Sequence, residues 1–453
     1  MIANVYKLKK GLDINLKGKA ERQKVRCNPC EEFALVPDDF AGVVPKVVVK
    51  EGDVVKVGEA LFVNKKYPEV KFPTPVSGIV TAIERGERRK VLSIRVKADK
   101  EQTYVDYGVK DVRQLDGSQV IDSLLQAGLF GYINQLPYAV STTPDVKPKA
   151  IFISAFRDMP LAADFEFELE GNTKAFQAGL TALSKIAPTY LGIGGNQQNP
   201  ALVDAADVEV NRFDGPCPAG NVGVQVNHVS PVNKGETVWT VQPTIVIFIG
   251  RLFLEGHLDL KKTIAFAGSE VRKPTYTDVV VGQKISSLPG INDISGVGHH
   301  CRIINGNPLT GRIDSVDGFV GAHSSEITVI PEGDDCHELF GWIMPRLKDF
   351  SANRSYFSWL MGSVRPYALD ARIKGGRRHM IMSGEYDQVL PMDILGEFLI
   401  KAILAGNIDK MEQLGIYEVS PEDFAVAEFV DSSKLELQRI VREGLDMLRK
   451  ENG

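Results

Sequence analysis

The sequence predicts a multidomain α/β chain: a strand-rich first part, an alternating α/β middle, a second strand-rich part and a helical tail. Three observations carry this. Residues 33–98 form short β-branched runs broken by Gly, Pro and Asp turns. Between about 110 and 255, helical spacing alternates with short apolar runs, the pattern of a mostly parallel sheet. At 453 residues the chain is too long for one compact core, and roughly three domains is the prior.

The first part contains the runs 43–49, 54–57, 60–63, 79–83 and 91–96, with turns at Glu51-Gly52-Asp53, Gly58 and Pro73-Thr74-Pro75. Glycines in tight hairpins and the Pro-x-Pro pair before Val76-Ser77-Gly78 resemble the biotinyl/lipoyl carrier fold. The middle offers a helix at 120–129 with Gly128 near its end, a buried strand at 150–155 and a helix at 173–186. A strand at 190–193, a short helix at 200–206 and a strand at 208–211 follow. Strand-like runs return at 262–267, 279–281, 301–304 and 327–329, and the tail reads as helix at 395–404, 409–414, 421–427 and 434–451. The expected units are 1–108, 109–255, 256–335 and 336–453.

Composition excludes some functions. The net charge of -5 and the absence of a basic stripe argue against nucleic acid as a partner. The longest apolar run, 244–250, is stopped by Arg251 and is far short of the roughly 20 residues a membrane span needs. The opening MIANVYKLKKG has no apolar signal region, so a cytosolic chain is expected. Five cysteines, an odd number, point to free thiols rather than a disulfide framework.

Each candidate site has a plainer reading beside it. Cys27 and Cys30 form a lone CxxC; a zinc or iron–sulfur site needs about four ligands, so two loop thiols are the better reading. His299, His300 and Cys301 lack a partner at helical spacing, and His323 or His337 could complete a set only through the fold. Neither group is taken as a metal site. Gly192-Ile193-Gly194-Gly195 ends a strand as a dinucleotide loop would, but Asn196–Pro200 follows instead of a helix opened by glycine. Lys65 and Lys66 lie near where carrier domains place an acylated lysine, yet Tyr67-Pro68 breaks the required symmetric hairpin. The stretch Asp214-Gly215-Pro216-Cys217-Pro218-Ala219-Gly220 is a rigid loop, either structural or a docking or ligand loop at the sheet's carboxyl edge. No Ser–His–Asp set, HExxH, GxSxG or Walker loop occurs, and no catalytic residue is assigned.

Short motifs then resemble one family in order along the chain. They include Lys9-Lys10-Gly11-Leu12-Asp13, Gly52-Asp53, Pro75–Gly78, Arg212-Phe213-Asp214-Gly215-Pro216, Pro218-Ala219-Gly220 and Pro231-Val232-Asn233. Further on stand Leu252-Phe253-Leu254 with Gly256, 338–342 with Met344-Pro345, Gly384-Glu385-Tyr386, 389–393 and Glu422-Asp423-Phe424-Ala425. The chain thereby resembles the NqrA family, the A-type component of the Na+-translocating NADH:quinone reductase (Na+-NQR), nearly end to end. More distantly it resembles the C-type component of the Rnf complex and the NADH-binding subunit of complex I.

The resemblance implies a carrier-like barrel-sandwich, a Rossmann-like α/β domain, a β-grasp domain around 282–312 and a C-terminal helical part. It implies a peripheral subunit on the cytoplasmic side of the bacterial inner membrane, partnered with the integral membrane subunits. NADH, flavins, iron–sulfur centres, quinone and Na+ belong to the complex as a whole. Two departures imply no tightly bound cofactor in this chain. Where the complex I relative has a glycine-rich flavin loop, this chain reads Ala127-Gly128-Leu129-Phe130-Gly131-Tyr132-Ile133-Asn134-Gln135; where the Rnf relative has cluster cysteines, 425–433 has none. The resemblance also implies an interaction with ubiquinone or menaquinone. Phe130, Tyr132, Tyr138, Phe213, Asp214, Gly215 and Pro216 are the candidates, since a quinone ring suits aromatic surface with a few polar groups. Two alternatives stand beside the scaffold reading: a flavin-dependent NADH dehydrogenase, and a carrier module with a covalently attached group.

Overall fold

The structure is a computed structural model that describes residues 2–452 except 295–299, 335–345, 353, 355 and 362–364. His299, Cys336, His337 and the motif at 338–345 lie outside the described residues.

The chain opens with strand β1 (Ile2–Lys7), which crosses to the α/β sheet and pairs in parallel with its outermost strand. The barrel-sandwich follows. Strands β2 (Glu32–Leu35), β3 (Pro45–Val47), β4 (Val54–Val55), β5 (Ala60–Asn64), β6 (Lys71–Pro73), β7 (Gly78–Arg85) and β8 (Val91–Ala98) form two sheets. Their orders are β2-β8-β7-β4 and β3-β5-β6. Leu61, Phe62, Phe72, Val80, Ile94 and Val96 fill the space between them. The turn residues noted in the sequence set these hairpins; Gly52, at φ 92, takes a conformation in which a side chain would be strained.

Helix α1 (Gly117–Ala127) begins the α/β unit. Asp116 and Gln119 close a capping box at its start, and Gly128 ends it in the left-handed conformation. The sheet continues with β9 (Asn134–Leu136), β10 (Val140–Ser141), β11 (Ile151–Ser154), β12 (Thr189–Gly194), β13 (Glu209–Asp214) and β14 (Val238–Thr240). Its order is β1-β13-β12-β11-β14-β9-β10. The five strands from β1 to β14 run parallel, and β9 and β10 return antiparallel. Helices α2 (Phe165–Glu168), α3 (Thr173–Ser184), α4 (Pro200–Val203), α5 (Val222–Val229) and α6 (Pro243–Glu255) connect them. The apolar run at 244–250 is the middle of α6, whose residues from Pro243 to Gly250 are buried throughout. It packs on α3 at a glycine crossing, with Gly179 against Val246 and Gly250 against Ala175.

The third unit is a mixed sheet of β15 (Lys261–Ala267), β16 (Thr275–Val280), β17 (Cys301–Asn305), β18 (Arg312–Asp314) and β19 (Glu326–Pro331), ordered β16-β15-β19-β17-β18. The tail folds as α7 (Tyr386–Val389), α8 (Gly396–Leu404), α9 (Ile408–Gln413), α10 (Ala425–Val430) and α11 (Leu437–Asn452) around Leu399, Ile400, Val441 and Leu445. Arg442 of α11 ties this part to the α/β unit by donating to the carbonyls of Tyr138 and Ala139 at 2.5 and 3.0 Å. Among the described residues no helix is long and apolar enough to cross a membrane.

Candidate functional site

Strand order in the parallel sheet reverses between β11 and β14: the chain steps from β11 toward β12 and β13 on one side, then returns to β14 on the other. In open α/β sheets the loops leaving the carboxyl ends of such a pair diverge and leave a crevice. Here the crevice holds about 350 Å3. Phe156–Met159 follow β11, Thr240–Pro243 lead from β14 into α6, and Gly220–Val222 open α5. The third unit closes the other wall with Asn305–Asn307 and His323–Glu326, and Glu422 reaches it from the tail.

Most polar groups here are already engaged. Arg157, 13% exposed, donates to Glu168 Oε2 at 2.8 Å and to Thr244 Oγ1 at 2.9 Å, so its charge is spent on a buried carboxylate. The Ser154 hydroxyl donates to the Gly220 carbonyl at 2.7 Å, lies 3.1 Å from the Phe156 carbonyl and accepts from Gln225. The Asn305 amide donates to Asp314 and to the Phe319 carbonyl, and the Asn307 amide donates to Thr310.

Two residues differ. Asp158 accepts from the Gly220 amide through Oδ2 at 2.8 Å; its Oδ1 is shielded and makes no hydrogen bond of good geometry, although the amides of Asp158 itself and of Ala219 also lie toward the carboxyl. Burial pushes its carboxyl up to about 7 against the opposing pull of the Gly220, Asp158 and Ala219 amides, and the nearby Asp13 charge adds to the rise. His323 has no partner at Nδ1. Burial, aided by the Lys262 ammonium, lowers its pKa to about 4, so the imidazole is neutral near pH 7. Lys262 fixes the loop that carries His323: its buried Nζ donates to the carbonyls of Gly321, Ala322 and Ser324 at 2.7, 3.2 and 2.7 Å.

None of the seven residues singled out in the sequence lines the crevice, and they do not form one site. Phe130 and Tyr132 are fully buried. Tyr132 lies behind the crevice wall, its ring 5.8 Å from that of His323, and its hydroxyl has no hydrogen-bond partner. Phe130 meets Trp239 edge-on at 5.5 Å, one residue before the crevice-lining Thr240. Phe213 is buried and stacks on Tyr6 at 5.0 Å. Asp214 is exposed, Gly215 lies against Leu8, and Pro216 lies against Gly11, so the loop is laced to the opening segment. Asp13 accepts from the Cys217 amide at 3.0 Å, which explains why these two distant motifs occur together. Only the far end of the loop, Gly220, reaches the crevice. Tyr138 sits elsewhere, at φ 82, packed toward the tail.

The loops that could cradle a phosphate are occupied by protein. In 127–135 the amides of Gly128, Leu129, Tyr132 and Ile133 all donate to backbone carbonyls of the preceding turn. A Cβ on Gly128 would strike Pro73 at 2.7 Å, and one on Gly131 would strike the Phe72 ring at 2.5 Å. The glycines serve close packing on the barrel, and the loop does not fit a flavin phosphate. At the end of β12, a Cβ on Gly192 would meet Gln225 at 1.9 Å, and the Gly194 amide is capped by Gln197 at 2.7 Å. Lys65 and Lys66 are exposed in the β5–β6 turn. Cys27 lies 3.0 Å from Thr277 Oγ1, Cys30 points to the Glu32 carbonyl, and His300 meets Asp334 at 3.0 Å. Among the described residues no group of His, Cys, Asp and Glu could hold a metal ion.

The sequence carried one unused signal for the crevice. Arg157 and Asp158 follow directly on the buried strand 150–155, at the carboxyl end where α/β sheets bind ligands. Nothing local marked His323, which the fold brings from another unit.

Comparison with known proteins matches three stretches. Residues 6–99 match the NqrA N-terminal barrel-sandwich hybrid domain, 115–258 the NqrA second alpha/beta domain, and 263–315 the NQRA C-terminal domain. Proteins named as the A-type component of the Na(+)-translocating NADH-quinone reductase are similar over almost the whole chain. One from Haemophilus influenzae (strain PittGG) is 34% identical, covering 98% of this chain and 99% of that protein. One from Neisseria meningitidis serogroup A is 34% identical over 99% of this chain and 100% of its own, and one from Yersinia pestis bv. Antiqua 35% over the same shares.

Proposed function

This chain belongs to the NqrA family of the Na+-translocating NADH-quinone reductase, and from that premise we propose that it is a peripheral subunit contributing a quinone-binding crevice to the complex. On this reading it sits on the cytoplasmic face of the bacterial inner membrane, against the integral membrane subunits. NADH, flavins, iron–sulfur centres and Na+ are handled by its partners, and the chain itself works without a tightly bound cofactor. The ligand is the ring of ubiquinone or menaquinone. Its units are read as a carrier-like barrel (1–108, with β1 lent to the next sheet), a Rossmann-like domain (109–255), a β-grasp domain (256–335) and a helical tail (336–453).

The observation that carries the quinone reading is the crevice at the reversal of strand order. A quinone is flat, uncharged and offers only acceptors. The crevice offers Phe156, Met159, Val241 and Pro243 for the ring and unpaired polar groups for the carbonyls. A dinucleotide fits less well: its phosphates would meet carboxyl groups and no available cation, since the lining arginine is spent on Glu168. The sequence candidates keep supporting parts, with Tyr132 behind His323, Phe130 behind Trp239, and the segment Phe213-Asp214-Gly215-Pro216 anchoring the loop that ends at Gly220. The test is titration of the full chain with a short-chain soluble quinone, followed by calorimetry and by Trp239 fluorescence. Saturable binding, abolished by Val241→Trp, which fills the crevice, is the expected result. The absence of any saturable signal at the solubility limit removes the quinone reading and leaves family membership untouched.

A further inference from the structure

We propose that Asp158 and His323 hold the two carbonyl oxygens of the quinone ring, and that Asp158 is a catalytic residue that protonates one of them. The inference rests on the quinone reading of the crevice and adds the chemistry of the bound state.

The argument is one of remaining partners. A quinone oxygen in a shielded site needs a donor. Ser154 and Asn305 have their side-chain donors committed to protein acceptors, while Asn307 already donates to Thr310 and Arg157 to Glu168 and Thr244. Asp158 Oδ1 and His323 Nδ1 are the crevice-lining side-chain atoms that are buried and lack partners among the described residues. A buried polar atom without a partner is rare in a native structure and calls for an explanation. Two such atoms around one cavity, delivered by two different units, are explained together by one ligand with two acceptors. Each can donate near neutral pH: Asp158 because burial keeps a large share of its carboxyl protonated, His323 as the neutral Nδ1–H tautomer.

The reduction balances as follows. Two electrons come from NADH, the donor in the family's name, and on this reading reach the ring through the partner subunits. The Asp158 O–H bond breaks and an O–H bond forms on one quinone oxygen, leaving a carboxylate on which the Gly220 amide still donates. The second proton comes from solvent to the oxygen held by His323, which is a positioning group and gives up no proton. Hydroquinone leaves, and water entering the open crevice reprotonates Asp158. The charged and titratable groups facing Asp158 are Asp13, Cys217, Glu326, the ion-paired Arg157 and Glu422. Burial and the Asp423 charge also push the Glu422 carboxyl up to about 7, so the pH profiles are compared in a Glu422→Gln background. Lys262 and Tyr132 face His323.

The test uses Asp158→Asn and Asp158→Glu in the whole complex and in the isolated full chain. The Asn amide can accept from Gly220 and donate to a quinone oxygen, so quinone affinity should stay within about 3-fold of wild type at pH 6. Quinone reduction by the complex should fall at least about 10-fold, while NADH oxidation with an artificial one-electron acceptor is unchanged. Wild-type quinone affinity should weaken as pH rises through about 7, where the carboxyl ionises against a carbonyl oxygen. Asp158→Asn should lose that dependence and Asp158→Glu should restore it. If wild type binds quinone but Asp158→Asn keeps full quinone turnover, or keeps the wild-type pH dependence of affinity, the Asp158 role is overturned and the quinone reading survives. If Asp158→Asn fails to assemble, the affinity profiles of wild type and Asp158→Glu decide: both flat from pH 6 to 8 overturns the proposal. If wild type shows no saturable binding, both fall together.

Discussion

Gly250→Ala adds one methyl group at the tightest glycine crossing of two helices among the described residues. A Cβ at this position would stand 1.7 Å from the Ala175 carbonyl oxygen. The obstacle is backbone, so no rotamer change relieves it. Ordinary carbon–oxygen contact lies near 3.2 Å or more, so α3 and α6 must separate by about 1.5 Å or slide. They cannot move freely, because Gly179 meets the Val246 carbonyl at the same crossing and Phe176, Leu180, Phe248 and Phe253 interlock around it. Overpacking of this kind costs about 1–3 kcal/mol, and a backbone obstacle places it at the upper end. For a unit of this size, about 3 kcal/mol corresponds to a fall in Tm of roughly 6–12 °C. The assay is thermal unfolding of the full chain by circular dichroism, with Gly376→Ala as control, since nothing lies within 4 Å of that Cβ. Because α6 starts at the crevice wall with Pro243, quinone affinity should weaken as well. A Gly250→Ala protein that melts within about 1 °C of wild type would show that the helices do not cross here as described.

Other consequences are as direct. Asp158 titrates higher folded than unfolded, so its contribution is present at low pH and lost as pH rises from about 4 through about 7. The stability of wild type relative to Asp158→Asn should therefore decline over that window in urea unfolding, and a constant difference would contradict the buried carboxyl. His323 shifts downward, so its contribution is present above its ordinary value and lost as pH falls through about 4; His323→Gln should flatten that acid limb in the same assay. Arg442→Ala removes two charge-assisted bonds to Tyr138 and Ala139 and should cost about 2 kcal/mol, with faster proteolysis of the last helix; equal protease resistance would rule out the tether. The purified chain should show no flavin band in its visible spectrum, and near-stoichiometric flavin would refute the account of 127–135.

What the sequence disclosed depended on how local each signal was. Helix α1 was legible because its Gly128 stop is local, and its Asp116–Gln119 cap is local too. The barrel strands were legible because Gly and Pro punctuate them every few residues. The strand β1 was not, because it is a largely exposed edge with no apolar alternation to read. The apolar run at 244–250 signalled burial without saying helix or strand, as short apolar runs do. The same limit explains the site residues. Phe130, Tyr132 and Phe213 are aromatic side chains fit for a ring, but large aromatics also dominate cores, and all three are core.

The crevice itself could not be read locally, because its two walls are far apart in the chain. Ala163, just after the β11 loop, donates its amide to Glu326 across 163 residues, and that contact seats the His323 loop opposite Asp158's strand end. The position of a polar atom in sequence says what it can bond; only the fold says that nothing bonds it. The same logic separates the two glycine loops from the crevice. Glycines at 128, 131 and 192 sit where relatives or dinucleotide folds hold a ligand, yet here each gap is filled by a protein side chain, Pro73, Phe72 or Gln225. Space in this molecule is left where polar groups are unpaired, and the chemistry should be sought there.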